Sequence, residues 1–198
     1  MKKAAVVIGR FNPPTIGHYN LFQRVKSFIL GDGKVHSISP QVFIVVVDGE
    51  KSSQDLSVNP LSAEERISIL EKHNSTKGCK IIVAKTAIDG FNQVRKEGFE
   101  PTLIAGGDDR TKDYINILQK FNPEVELIEF SMKRTKIDPE KSEKILSVMK
   151  DQDTNLVSAT LARHSAKTDN LEAFKMLTGL TGSLALATFN KIKQRVSK

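Results

Sequence analysis

The chain has 198 residues, of which 39% are hydrophobic and 27% are charged, as is typical of a globular domain and not of a disordered chain. No apolar run approaches the roughly 20 residues that a membrane-spanning helix needs. The net charge of +7 favours anionic partners, but no Trp and only two Tyr are present to stack nucleic-acid bases. We therefore expect a small anionic ligand, with no membrane partner and no nucleic-acid partner.

The cysteine content and the first residues of the sequence indicate the cellular compartment of the protein. A single cysteine, Cys79, cannot form an internal disulfide, which favours a reducing environment. The apolar run at residues 4–8 is too short for the hydrophobic region of a signal peptide, which needs about 7–15 residues. We therefore expect a cytoplasmic protein. Since His36, His73 and His164 show no ligand spacing with Cys79 or with each other, we expect no metal bound by the protein alone.

Strand and helix patterns alternate along the first 130 residues. Short apolar runs rich in β-branched residues predict strands at residues 4–8, 42–47, 81–84, 102–105 and 126–130. Helical stripes lie between them, formed by Leu21, Val25, Phe28 and Ile29, by Leu61, Ile67, Ile69 and Leu70, and by Tyr114, Ile115, Leu118 and Phe121. This alternation predicts an α/β fold, a Rossmann-like doubly wound parallel sheet of about five strands with helices on both faces.

The pattern changes after residue 130. Residues 131–156 form a polar insert with a helix predicted around 140–150, and residues 157–198 form a helical C-terminal segment. Helices are predicted there at 158–167, 170–177 and 183–196, the last with one apolar face formed by Ala185, Phe189, Ile192 and Val196. No linker divides the chain, so we expect a single domain over 1–198 with its Rossmann-like core at 1–130.

The loop after the first strand carries the sequence GRFNPPTIGH at residues 9–18. Ligands of open α/β sheets bind beyond the carboxyl ends of strands, and a helix that begins there attracts phosphate. Gly9 and Gly17 allow close backbone approach, while Thr15 and His18 add hydrogen-bonding side chains. The loop therefore predicts a phosphate site.

This loop resembles the (T/H)-x-G-H signature of the HIGH-superfamily nucleotidyltransferases, which include nicotinamide-mononucleotide and phosphopantetheine adenylyltransferases and the cytidylyltransferases. The G-R-F opening is similar to one adenylyltransferase branch, and T-I-G-H is similar to the phosphopantetheine branch. Asn12 stands where Asp or Gln is common, and Thr15 stands where many members have His. These departures leave the subfamily open.

Three further segments resemble the same superfamily in the same order along the chain. Residues 59–66, NPLSAEER, are similar to N-P-[LF]-[ST]-x-E-E-R, and they also predict a helix with a capping box from Ser62 to Glu65. Residues 106–110, GGDDR, resemble a G-x-D-R segment, although Asp108 or Asp109 could instead cap the next helix. Residues 157–163, VSATLAR, resemble I-S-S-T-x-x-R, so the resemblance covers nearly the whole chain apart from the insert.

The resemblance implies a mechanism and its residues. An acceptor phosphate attacks the α-phosphorus in line, with no covalent enzyme intermediate. His18 and Thr15 would contact the α- and β-phosphates, Arg163 would hold the departing pyrophosphate, and Lys51 would neutralise an acceptor or α-phosphate unless it is simply a surface lysine. The nucleotide-binding positions implied are Gly9, Arg10, Phe11, Asn12, Gly17, Gly107, Asp109, Arg110, Ser158 and Thr160. Mg²⁺ would bridge triphosphate oxygens, largely with waters.

The expected activity is transfer of a nucleoside monophosphate, AMP in preference to CMP, from a nucleoside triphosphate to a small phosphate-bearing acceptor, with release of pyrophosphate. The G-R-F opening favours a mononucleotide acceptor, while phosphopantetheine, a phosphorylated polyol, choline phosphate and a sugar phosphate stay open. The alternative is a non-catalytic nucleotide-binding sensor or interaction protein on the same fold. The chain is too short for a class I aminoacyl-tRNA synthetase. Whether it forms a homo-oligomer is left open.

Overall fold

The protein is built around a parallel sheet. A computed structural model describes residues 1–31, 38–50, 54–133, 138–139 and 157–197, without the side chains of residues 38–40, 108 and 109. Within this part of the chain, five strands pair in the order β3-β2-β1-β4-β5, and every pair is parallel. The strands are β1 (Lys2–Gly9), β2 (Ile38–Val47), β3 (Cys79–Ala84), β4 (Phe99–Gly107) and β5 (Ile128–Met132). The predicted Rossmann-like α/β fold is confirmed.

Helices follow the strands and cover both faces of the sheet. In the described residues they are α1 (Ile16–Gly31), α2 (Ala63–Glu71), α3 (Ala87–Lys96), α4 (Asp108–Phe121), α5 (Ala159–Lys167), α6 (Leu171–Thr178) and α7 (Gly182–Val196). Ala5 and Val7 of β1 pack on the side of α1, while Val6 and Ile8 pack on the side of α3 and α4. Both faces of β1 are buried, which explains its continuous apolar run. None of the helices described is long and apolar enough to cross a bilayer.

The three C-terminal helices share a separate apolar cluster with α2. Leu61 and Ile69 pack there together with Leu161 of α5, Phe174 of α6 and Phe189 of α7. The predicted apolar face of α7 is confirmed, since Ala185, Phe189 and Ile192 are buried and Val196 packs against the same cluster. Glu65 of α2 forms ion pairs of 2.7 Å with Lys191 and with Arg195 of α7. The basic side of α7 is therefore partly used in docking.

The sequence patterns missed one helix and misplaced one residue. Helix α3 is short, and Gly90 interrupts its apolar stripe. A Cβ at Gly90 would lie 2.4 Å from Cγ1 of Val45, so glycine lets α3 approach β2 closely. Phe121 belongs to the predicted apolar stripe of α4 but is 62% exposed, and it is the last residue of that helix. Strand β5 extends to Met132, two residues into the predicted insert, and the helix predicted around 140–150 lies outside the described residues.

Candidate active site

The order of the strands places a crevice at the carboxyl ends of β1 and β4. From β1 the chain passes first to β2 on one side and later to β4 on the other, which is where open α/β sheets bind ligands. Helices α1 and α4 begin beside this crevice, so their free N–H groups lie at the same edge. Gly106 permits the close packing there, since an added Cβ would lie 2.9 Å from Oγ1 of Thr111 and 3.4 Å from the carbonyl oxygen of Ile8.

Phe11 turns into the protein interior. Its φ of 51° is in the left-handed region, which costs a residue other than glycine of order 1–3 kcal/mol unless the surroundings hold it there. The ring is 3% exposed and packs edge-on against His18 at a centroid distance of 5.0 Å. A Cβ on Gly9 would lie 2.8 Å from the Phe11 ring, so this position has room only for glycine. The Phe11 ring therefore packs against the imidazole of His18, and nucleotide binding by Phe11 stays a prediction.

The imidazole of His18 is oriented by Thr15. Nδ1 of His18 lies 3.0 Å from the backbone nitrogen of Thr15 and 2.9 Å from its hydroxyl oxygen. An N–H group can only donate, so Nδ1 is the acceptor and the proton of the neutral ring is assigned to Nε2. Thr15 and His18 are 1% and 6% exposed, so the pair is held inside the loop. This arrangement makes Nε2–H a fixed donor, the chemistry that a phosphate oxygen requires.

Asn12 fastens the loop to the segment before α2. Its side-chain amide donates to the carbonyl oxygen of Leu61 at 2.8 Å, and its Oδ1 accepts from the Leu61 N–H at 3.0 Å. Asn12 is 2% exposed, so its side chain is committed to the protein. Its backbone carbonyl oxygen accepts a hydrogen bond of 2.7 Å from Nη1 of Arg163. The position predicted to bind nucleotide thus joins three segments of the chain.

Arg163 brings a positive charge from α5 to the same loop. Nη2 of Arg163 also donates to the hydroxyl of Thr160 at 3.1 Å, one turn earlier on α5. The pKa of Arg163 is lowered to about 10, mainly by burial and in part by the positive charge of Arg10, while Asp55 opposes the shift. Among the described residues, Arg163 has no carboxylate within ion-pair distance. A half-buried cation beside a second arginine is a site that an anion would stabilise.

Ser158 begins α5 and retains a hydrogen to donate. Its hydroxyl oxygen accepts from the N–H of Leu161 at 3.2 Å, which is an N-cap interaction. A hydroxyl that accepts in this way still carries its own donor. Ser158, Thr160 and Arg163 therefore stand together at the start of α5, as the segment's resemblance implied.

For most of the other residues predicted to bind the substrates, the structure gives a position in the fold. Arg10 is exposed and adjoins Gly9, and Gly17 is the second residue of α1. Gly107 occupies the N-cap position of α4 without a side-chain cap, so the alternative in which Asp108 or Asp109 is the cap is wrong. Asp109 and Arg110 lie in the first turn of α4. Arg110 is exposed, and the side chain of Asp109 is not among those that the structure describes. Lys51 also lies outside the described residues.

Sequence reasoning gave no role to Arg66, although its motif was recognised. Arg66 is 1% exposed, and its guanidinium donates to the carbonyl oxygen of Arg10 at 2.7 Å and to that of Val47 at 3.1 Å. It also forms an ion pair with Asp48 at the end of β2. The signal available beforehand was an arginine one turn after the N-cap Ser62, on the buried side of α2.

A groove in the surface lies next to the crevice. A groove of about 530 Å³ runs beside β3 and α3, with Asp48, Asp89 and the exposed Lys85 and Lys96 in its walls. It does not include His18 or Arg163, and it reaches the crevice only at Asp48. We assign the chemistry to the crevice, because the oriented imidazole and the half-buried cation are there. In the described part of the chain, no three His, Cys, Asp or Glu residues are grouped to hold a metal ion.

Comparisons with known proteins agree with this fold. Residues 6–165 match the family described as cytidylyltransferase-like. Among solved structures, nicotinic acid mononucleotide adenylyltransferase of Plasmodium falciparum superimposes with a TM-score of 0.59 in its complex with NaAD and 0.58 in its complex with APC. Each alignment covers 96% of both chains at 14% sequence identity, which shows a shared fold. No curated protein matches the sequence significantly.

The family match extends from β1 to the end of α5, and so includes the loop of His18, the segment of Arg66 and the helix of Arg163. The resemblance drawn from four short segments is confirmed. The chain belongs to the cytidylyltransferase-like family of HIGH-superfamily nucleotidyltransferases.

Proposed function

We propose that this nucleotidyltransferase moves AMP, in preference to CMP, from a nucleoside triphosphate to a small acceptor that bears a phosphate, with a mononucleotide as the favoured acceptor. The observation that carries the proposal is the joining of His18 and Arg163 to one loop at the carboxyl end of β1. The G-R-F opening favours ATP and a mononucleotide. The structural neighbour, a nicotinic acid mononucleotide adenylyltransferase, is consistent with that choice.

The reaction needs no protein nucleophile. A phosphate oxygen of the acceptor forms a bond to the α-phosphorus, the bond from that phosphorus to the bridging oxygen of the β-phosphate breaks, and pyrophosphate leaves with the bonding electrons. Negative charge grows on the leaving oxygens. Catalysis therefore consists of holding the reactants in line and of stabilising that charge.

The residues of the crevice have complementary tasks in this scheme. Nε2–H of His18 donates to an oxygen of the α- or β-phosphate, while Thr15 keeps the ring in that tautomer. Arg163 faces the pyrophosphate, with the hydroxyls of Ser158 and Thr160 beside it. The amino ends of α1, α4 and α5 add partial positive charge near the phosphates. Lys51, Arg10 and Arg110 are proposed as further phosphate contacts, and Asp109 is proposed as a contact to ribose or the acceptor.

Nucleotidyltransferases of this kind generally use a divalent metal, and we propose Mg²⁺. The donor set of the crevice is an imidazole, hydroxyls and guanidinium groups, with no group of acidic ligands among the described residues. This fits an ion carried by the triphosphate oxygens and water, the coordination that Mg²⁺ prefers. Bound in that way, it would neutralise triphosphate charge.

The test is a measurement of pyrophosphate release with Mg-ATP or Mg-CTP against a panel of acceptors: nicotinamide and nicotinic acid mononucleotide, phosphopantetheine, glycerol phosphate, choline phosphate and a sugar phosphate. We expect turnover with ATP and one mononucleotide, and a loss of about 10²–10³-fold in His18→Ala. The matched control is His164→Ala, because the contacts described for His164 involve only its backbone carbonyl oxygen.

Each outcome bears on one part of the proposal. Turnover with CTP alone would overturn the choice of nucleotide, and turnover with another acceptor alone would overturn the choice of acceptor. Full activity in His18→Ala would remove His18 from the mechanism. Tight triphosphate binding without turnover on any acceptor would refute the proposed transfer and favour a nucleotide sensor.

A further inference from the structure

Arg66 is a buried cation that joins the ends of two neighbouring strands. Nη1 donates to the carbonyl oxygens of Arg10 and Val47, which follow β1 and end β2, and Nη2 pairs with the carboxylate of Asp48. Nε donates at 3.1 Å to the carbonyl oxygen of Ser62, the N-cap of the helix that carries Arg66. One guanidinium thus binds three carbonyl oxygens and one carboxylate in a fixed plane.

Stability alone is a weak reason for such a residue. Burial of a charged group costs free energy that its ion pair only partly returns, and an apolar side chain of similar volume is often no less stable. Helix α2 already has a complete capping box from Ser62 and Glu65. What an apolar side chain could not do is hold the carbonyl oxygens of Arg10 and Val47 at fixed positions relative to each other.

The position of the Arg10 carbonyl oxygen affects the geometry of the crevice. Arg10 is two residues before Asn12, whose carbonyl oxygen receives Arg163, and five residues before Thr15, which orients His18. The side chain of Asn12 is bound to Leu61, one residue before the N-cap of α2. The loop that orients His18 and accepts the hydrogen bond from Arg163 is therefore fastened at two points to the start of α2.

We propose that Arg66 is a positioning residue for nucleotidyl transfer, which sets the path of residues 10–15 and through it the alignment of His18 with Arg163. The inference rests on the proposed function. Because its side chain is 1% exposed, Arg66 does not touch the substrate. It acts through the carbonyl oxygen of Arg10.

The experiment compares Arg66→Lys with the wild-type protein. Lysine keeps the charge, but its three donors share one nitrogen, so it cannot span the four acceptors that the planar guanidinium of Arg66 binds. Since a displacement of about 1 Å can cost on the order of 10²-fold in rate, we expect kcat to fall about 10- to 100-fold while the KM for the triphosphate changes less than about threefold. The control is Arg95→Lys, because Arg95 binds Glu100 at the amino end of β4 and Glu124 between α4 and β5, away from the crevice.

Amide hydrogen exchange supplies a readout that does not depend on activity. The N–H of Thr15 bonds to His18, and its exchange is expected to become faster in Arg66→Lys while the core amides of Val7 and Ile44 shift only with global stability. A merely structural role would instead accelerate all three by the same factor. If Arg66→Lys does not fold, Asp48→Asn is measured in the same way, since it weakens one contact of the guanidinium and leaves three.

The inference is overturned if kcat falls no further in the variant than in Arg95→Lys, or if the Thr15 amide exchanges at the wild-type rate. Absence of turnover in the wild-type protein would be a failure of the proposed function. The exchange of Thr15 would in that case still decide whether Arg66 sets the path of the loop.

Discussion

The contact between α2 and α7 allows one electrostatic prediction to be worked through. In Glu65→Gln the side chain loses its charge but can still accept from the N–H of Ser62, since both Glu and Gln complete a capping box. The change therefore removes the ion pairs with Lys191 and Arg195 and leaves the helix cap in place.

The magnitude follows from the titration of Glu65. Burial raises the pKa of Glu65, but hydrogen bonds from Lys191, from Arg195 and from the N–H of Ser62 outweigh this effect and lower the pKa from 4.5 to about 2. That difference corresponds to about 3 kcal/mol. Lys191 and Arg195 are 46% and 32% exposed, so solvent screening reduces the contribution to about 1–2 kcal/mol.

The direction of the pKa shift of Glu65 determines how its contribution to folding stability depends on pH. A carboxyl group whose pKa is lower in the folded state stabilises that state fully above pH 4.5, and the contribution is lost as the pH falls from 4.5 toward 2. We expect urea unfolding at pH 7 to show Glu65→Gln less stable by about 1–2 kcal/mol. The difference between variant and wild type should shrink when unfolding is measured at about pH 3.

The control is Glu172→Gln. Glu172 pairs with Lys175 at 2.7 Å but is 78% exposed, so its replacement should change stability by less than about 0.5 kcal/mol. The reasoning is refuted if Glu65→Gln is as stable as the wild type at pH 7, or if its deficit is the same at both pH values.

Three further predictions concern the crevice. Arg163→Lys should raise the KM for the triphosphate about 10- to 100-fold in steady-state assays, since lysine lacks the guanidinium that can donate two parallel hydrogen bonds to phosphate oxygens. The control, Arg24→Lys on the exposed side of α1, should leave that KM unchanged. Asn12→Ala should lower the free energy of unfolding in urea by about 1–3 kcal/mol, because the N–H and the carbonyl oxygen of Leu61 both lose a buried partner. An unchanged midpoint of urea unfolding would contradict a stabilising role of the Asn12–Leu61 contact. Gly106→Ala should cost about 1–3 kcal/mol by the same measurement, and Gly31→Ala, where nothing lies within 4 Å of the added Cβ, should cost nothing.

Local chemistry explains what could be predicted from the sequence. Strands β1, β2 and β4 show as continuous apolar runs because they lie inside the sheet with both faces buried, whereas the edge strands β3 and β5 are less buried and show as shorter runs. The capping box of α2 involves residues only three apart. The loop at residues 9–18 could be placed at the carboxyl edge of the sheet because a strand is followed there by a helix, and phosphate binding by that loop stays a prediction. The sequence order of four motifs then identified the superfamily.

The inward roles of Asn12, Phe11 and Arg66 could not be predicted, because each depends on residues distant in the chain or on a particular backbone angle. Asn12 meets Leu61 across 49 positions, Arg66 meets Arg10 across 56, and Arg163 meets Asn12 across 151. The sequence by itself determined the family, and it predicted which side chains carry the chemistry of phosphate transfer. Only the tertiary structure decided which of them face the crevice and which hold it in shape, because hydrogen-bond partners that far apart are chosen by the packing of helices on the sheet.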